Sequence, residues 1–83
     1  MPSVRQIHVQ FFALLREQAG CSLLEVATAA GTPRELYREL QDSHRLGLPA
    51  TLIQVAINAR YATLDTPLNE GDRVVFIPPV AGG

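Results

Sequence analysis

Two glycines, Gly82 and Gly83, end the 83-residue chain, behind the run Phe76-Ile77-Pro78-Pro79-Val80-Ala81. At an average glycine usage of about 7%, such a pair falls at a terminus by chance in roughly 0.5% of chains. Taken alone, the pair fits a plain chain end as well as a functional one. The residues before it add to the functional reading. An apolar segment runs directly into two prolines, which stiffen the exit as an extended stem. Four small residues follow and hold the carboxylate away from the body. Glycine has no Cβ, so it passes a channel no wider than a backbone and takes whatever φ and ψ a host site demands. A carboxylate is a poor electrophile. Adenylation of its oxygen makes it one, and a sulfur or nitrogen nucleophile then displaces AMP. The tail is therefore expected to be inserted into, and loaded by, another enzyme.

Other reactive side chains are few. Cys21 is the one cysteine; it has no CxxC partner and no nearby histidine, and is read as structural or incidental. His8 and His44 are isolated, without zinc-ligand spacing. No Gly-rich phosphate loop occurs, so ATP would have to be bound by another protein. Arg16-Glu17 could meet a partner or solvate a short helix. Arg73, near the root of the tail, could pair with an acidic partner or be a plain outward strand residue. All seven basic residues are arginine. Lysine-linked self-chains are thereby excluded, although attachment of this terminus to another protein is not.

The elements that would position the tail follow from periodicity. Ile7, Val9 and Phe11 alternate with His8, Gln10 and Phe12, the pattern of a half-buried strand. Ala13 to Ala19 reads as a short helix stopped by Gly20. Ser22 to Ala27 is short enough for a strand. Thr32-Pro33-Arg34-Glu35 is a helix start with a cap, a first-turn proline and a capping-box glutamate. That helix should bury Leu36 and Leu40 and end near His44. Ile53, Val55 and Ile57 form a further strand, and Asn58-Ala59-Arg60 a tight turn into a short strand at Tyr61-Ala62. Leu64 to Leu68 suggests an irregular or 3₁₀ turn, and Asn69-Glu70-Gly71-Asp72 a turn cluster. Arg73 to Ile77 is the last strand, ended by prolines that cannot donate to a ladder. The first and last strands are the most apolar and should lie centrally and adjacent, with the long helix over one face. The implied fold is α+β, a mixed sheet on one main helix plus a short helix, of the β-grasp (ubiquitin-like) kind. Residues 1–78 would form that domain and residues 79–83 an extended flexible C-terminal tail.

Composition agrees. A hydrophobic content of 47% can supply a packed core and argues against disorder. A net charge of −1 lacks the basic excess that a phosphate backbone would call for. One cysteine permits no internal disulfide, as in a reducing compartment. The N-terminal segment has no secretory h-region, and no apolar run is long enough to span a bilayer. A soluble cytoplasmic domain is expected.

Three segments resemble the small, sulfur-carrying subunit of molybdopterin synthase: Val9-Gln10-Phe11-Phe12-Ala13-Leu14-Leu15-Arg16-Glu17 with Gly20; Ala56-Ile57-Asn58; and Leu68-Asn69-Glu70-Gly71-Asp72-Arg73 through Gly83. The resemblance spans nearly the whole chain. A bare Gly-Gly is shared by ubiquitin-like modifiers and by the sulfur carrier of thiazole synthesis, so those functions are the alternatives. The resemblance implies that an E1-like enzyme adenylates Gly83 with ATP that the enzyme itself binds. A sulfur-donor enzyme then converts Gly83 to a thiocarboxylate. The tail would next enter the large synthase subunit and donate sulfur to cyclic pyranopterin monophosphate. Two transfers build the molybdopterin dithiolene of the molybdenum cofactor. The implied assembly has two small and two large subunits, with the catalytic side chains on the large one. This chain would thus be a non-catalytic subunit, no enzyme alone, that binds no cofactor or metal. Its own chemistry would rest on Gly83, with Gly82 as its slender neighbour.

Alternation also marks a docking face. Val74 and Phe76 should face one side of the last strand, and Val75 and Ile77 the other. Two helices in so small a chain leave one sheet face uncovered. Phe12, Tyr61, Val75 and Ile77 are expected to form an apolar patch beside the tail, continued by Pro78, Pro79, Val80 and Ala81. The alternative is that Phe12 and Ile77 complete the core.

Overall fold

The computed structural model describes residues 4–79. Val80, Ala81, Gly82 and Gly83, four of the residues singled out above, lie outside the described residues. In chain order the elements are β1 (Arg5–Phe11), α1 (Ala13–Ala19), β2 (Leu23–Thr28), α2 (Pro33–His44), a 3₁₀ turn (Ala50–Leu52), β3 (Gln54–Ile57), β4 (Arg60–Ala62) and β5 (Arg73–Ile77). The five strands form one sheet in the order β2-β1-β5-β3-β4. Strands β1 and β5 are parallel and pair Val9 with Val74 and Phe11 with Phe76. The other neighbours are antiparallel. The first and last strands are therefore central and adjacent, as their apolar content implied.

One sheet face is sealed. Ile7, Val9, Phe11, Val55, Val74 and Phe76 are buried with Leu36, Tyr37 and Leu40 of α2 and Leu15 of α1. The Phe76 ring sits 5.2 Å from Tyr37 and 6.3 Å from Phe11, centroid to centroid. Aromatic pairs at such spacings add about 1 kcal/mol beyond their buried area. Tyr37 was not legible as a core residue from its type. Its hydroxyl is accommodated because it donates to the Leu48 carbonyl at 2.7 Å, which Gln41 Nε2 also reaches at 3.0 Å.

The helix ends use local chemistry. Gly20 closes α1 at φ 79° and donates to the Arg16 carbonyl at 3.0 Å. Thr32 Oγ1 accepts from the Glu35 amide at 3.3 Å. The expected capping box is altered, however. Glu35 Oε1 accepts from the Gly31 amide at 3.0 Å, so the carboxylate reaches one residue further back than Thr32. Helix α2 closes on Arg45, which is itself left-handed at φ 55°.

A polar knot joins the far ends of β3 and β5. The β3–β4 turn places Asn58 and Ala59 at φ 53° and 70°, a hairpin geometry that matches strand twist. Asn58 Nδ2 donates to Asp72 Oδ1 at 2.9 Å, and the Asn69 amide donates to Asp72 Oδ2 at 2.8 Å. The Arg73 amide donates to Asn58 Oδ1 at 3.0 Å. Asp72 is only 7% exposed, yet each carboxylate oxygen has a donor. Beside it, the Gly71 amide at φ 83° donates to the Gln6 carbonyl, tying the turn to β1.

Tyr37 makes this packing measurable. Burial pushes its phenol up to about 12, above its ordinary value near 10. The unfolded chain therefore loses this proton first, and the stabilising difference is present below pH 10. Stability should fall as pH climbs from about 10 through 12. Chemical denaturation across that range should show the fall in the natural chain and a flatter profile in Tyr37→Phe. At neutral pH that variant should be less stable by about 1 kcal/mol, since Gln41 still satisfies Leu48.

Candidate functional site

The parallel pairing of β1 and β5 brings both strand ends to the same edge of the sheet. With Phe11 opposite Phe76, the next residues are Phe12 on one strand and Ile77 on the other. They border an apolar groove of about 580 Å³, whose walls also include Ala13, Leu14, Leu48, Pro78 and Pro79. Phe12 is 42% and Leu14 44% exposed. Ile77 is half-buried, Pro78 buried and Pro79 exposed. The tail segment thus leaves the middle of the sheet directly beside an open apolar surface.

The expected patch divides in two. Phe12 is not part of the β1 face with His8 and Gln10. It stands past the strand end as the N-cap of α1, in extended backbone with no side-chain cap. Its carbonyl instead accepts from Leu15 and Arg16. Phe12 and Ile77 do not complete the core, since both belong to the groove wall. Tyr61 shares the outer sheet face with Val75, because Tyr61 pairs with Ala56 and Ala56 with Val75. It is 80% exposed but lies beyond β3, where it lines a separate concavity with Ile53 and Leu64. Alternation reports a residue's face and not the order of strands, so the insertion of β3 between β5 and β4 was not legible. Leu14 and Leu48 were missed. The signal for Leu14 was partial: adjacent helical residues point about 100° apart, so with Leu15 directed at the core Leu14 falls at the margin of the buried face.

The remaining reactive residues fall elsewhere. Arg73 is exposed at the start of β5, about 13 Å by strand rise from Ile77. It is therefore at the end of the strand opposite the tail root. His8 Nδ1 lies 3.2 Å from Glu25 Oε1 across the β1–β2 pair, on the open surface. Cys21 is half-buried against the core. Arg34 and Asp65 pair through two bonds of 3.0 and 3.1 Å. That hydrogen-bonded pairing raises the guanidinium and lowers the carboxyl from their ordinary values, and it ties the loop before Leu68 to α2. Among the described residues no group of three or more His, Cys, Asp or Glu could hold a metal ion. No helix among them is long and apolar enough to cross a membrane.

A model of the ThiS family matches residues 9–83, which include the groove, the polar knot and the Gly-Gly end. The chain belongs to the ThiS family. A curated relative, the molybdopterin synthase sulfur carrier subunit of Escherichia coli K12, is 38% identical over 80 residues, covering 93% of this chain and 99% of the relative. Among solved structures, small archaeal modifier protein 1 of Haloferax volcanii superposes with a TM-score of 0.76 at 26% identity, over 92% of this chain and 99% of that one. The complex of subunits 1 and 2 of molybdopterin-converting factor from Helicobacter pylori contains a chain that is 29% identical. It has a TM-score of 0.65 and covers 94% of this chain and 99% of its own. The β-grasp architecture of this ThiS-family chain is thus shared with a chain of the molybdopterin-converting factor complex and with a protein modifier.

Within this family chain, the Asn58-Asp72 knot is structural rather than chemical, although both residues belong to the resembling segments. Asp72→Ala strands the Asn69 amide and one Asn58 amide proton, and should cost about 2 kcal/mol of stability in urea unfolding. Adding Asn58→Ala should cost less in that background than in the natural chain, because the two residues share one bond.

Proposed function

We propose that this chain is the sulfur-carrier subunit of a molybdopterin synthase. The observation that carries this reading is the delivery of the Pro78-Pro79 stem from a central strand onto the rim of an apolar groove. It is supported by near full-length similarity to sulfur carrier subunits. The Gly83 carboxylate attacks the α-phosphorus of ATP held by an E1-like partner. Pyrophosphate leaves and an acyl-adenylate forms. A sulfur-donor enzyme delivers sulfur at the sulfide level, which bonds to the carbonyl carbon as the bond to AMP breaks and leaves a thiocarboxylate. In the large subunit that sulfur bonds to a carbon of cyclic pyranopterin monophosphate as an oxygen substituent of that carbon leaves, which gives a thioester between carrier and substrate. Hydrolysis of the resulting thioester frees the carrier as a carboxylate, and a second loaded carrier completes the dithiolene. This chain provides the carbonyl carbon, the narrow Gly82-Gly83 segment and the docking surface, and the catalytic side chains belong to the large subunit.

The occupant of the groove in this reading is the large subunit, in an assembly of two small and two large chains. The Helicobacter pylori relative was solved as a complex of two such different subunits. The second reading, a modifier joined through its C-terminus to other proteins, is favoured by the likeness to small archaeal modifier protein 1. A sulfur carrier for another pathway, such as thiazole synthesis, shares the same terminal chemistry.

Intact mass of the chain from its own host distinguishes these. The carrier reading expects a species heavier by the difference between sulfur and oxygen, whereas conjugates to other proteins would identify a modifier. Deletion of Gly83 should leave the fold and the complex with the large subunit intact and abolish molybdopterin formation. Cofactor synthesis that survives the deletion would sink the reading. Phe12→Asp should leave the thermal melt of the isolated chain near its natural value and abolish co-elution with the large subunit. Unfolding of that variant would instead place Phe12 among residues the fold needs.

A further inference from the structure

Three local preferences are violated within three residues at the tail root. The helix N-cap is phenylalanine, among the residues least suited to satisfy the free amides there, and no side chain caps α1. The next residue, Ala13, has φ 50°, in the left-handed region where a Cβ crowds the backbone. Phe12 and Leu14, on either side, hold large apolar side chains partly in water. The opposite end of the same helix follows the ordinary rule, with Gly20 at its left-handed position. Local conflicts that persist in a folded chain concentrate where the surface is kept for function.

We infer that Ala13 is a positioning residue for partner docking: its left-handed backbone aims Phe12 and Leu14 outward as a preformed pair flanking the tail root. The reasoning is steric. Strand β1 is extended through Phe12, at φ −118° and ψ 153°. The chain must then turn at once so that the Phe12 carbonyl can accept from Leu15, at 3.1 Å, and open the helix. Reversal at Ala13 makes that turn. It leaves Leu15 in the core and puts Phe12 and Leu14 on the groove wall with Ile77 and Pro78. Alanine is small enough to tolerate the conformation and, unlike glycine, restricts the alternatives. Rigid presentation of two apolar anchors lowers the ordering cost of binding.

This inference rests on the docking reading proposed above, and two substitutions test it separately from that reading. Ala13→Gly removes the steric conflict and adds backbone freedom. The melting temperature of the isolated chain should stay the same or rise by up to about 4 °C. The KM for the loaded carrier in the reconstituted synthase should rise about threefold or more, with kcat unchanged. Ala13→Pro suits the first position of a helix but fixes φ near −65°. It should lower the melting temperature of the isolated chain, because the same reversal carries Leu15 into the core, and lose affinity for the large subunit by more than about tenfold. Natural KM and affinity in both variants, or a clear drop in melting temperature for Ala13→Gly, would overturn the inference. If the natural chain itself fails to bind the large subunit, the docking reading fails instead.

Discussion

The parallel ladder between β1 and β5 is the constraint on which the rest of the molecule depends. Parallel neighbours must be joined by a long crossover, and here every other element occurs between them in sequence. Because both strands point the same way, they finish at the same edge. The turn into α1 and the root of the tail therefore meet, though 65 positions separate Phe12 from Ile77. An antiparallel arrangement would have sent the tail to the edge that carries the polar knot, and no apolar surface would flank it there.

The two ends of β5 are consequently different in chemistry. At its start, Asp72, Asn58 and Gly71 satisfy buried polar groups and fix the register of three strands. At its end, Ile77 and Pro78 meet Phe12 and Leu14 with few polar groups nearby. The resembling segments contain both sets. The residues that determine the fold and those that line the open groove therefore cannot be told apart from the segments alone. The geometry separates them: one set has its hydrogen bonds complete, and the other leaves apolar area open.

Much of this was legible in the sequence where side-chain chemistry acts locally. Gly20 and Gly71 mark left-handed positions because glycine takes them without a Cβ conflict. Thr32-Pro33 marks a helix start because it supplies an acceptor where four amides lack partners. The alternation of Ile7, Val9 and Phe11 gave both the strand and its buried face. What was not legible depends on distant contacts. Ala13 and Ala59 are left-handed although nothing in an alanine calls for it. Tyr37 is fully buried because a carbonyl eleven residues away accepts its hydroxyl proton. Tyr61 lies apart from Val75 because a third strand comes between them, and Leu48 enters the groove only through the loop that Tyr37 and Gln41 hold.

The position of β5 also has a mechanical consequence. A partner that grips the tail and draws it into a channel pulls along the axis of a strand bonded on both sides. Such a load acts in shear, so the ladders to β1 and β3 must fail together rather than open one bond at a time. An edge strand pulled the same way would be held by one ladder only. A pull on the tail root is therefore shared by two ladders, with the body of the sheet as its anchor.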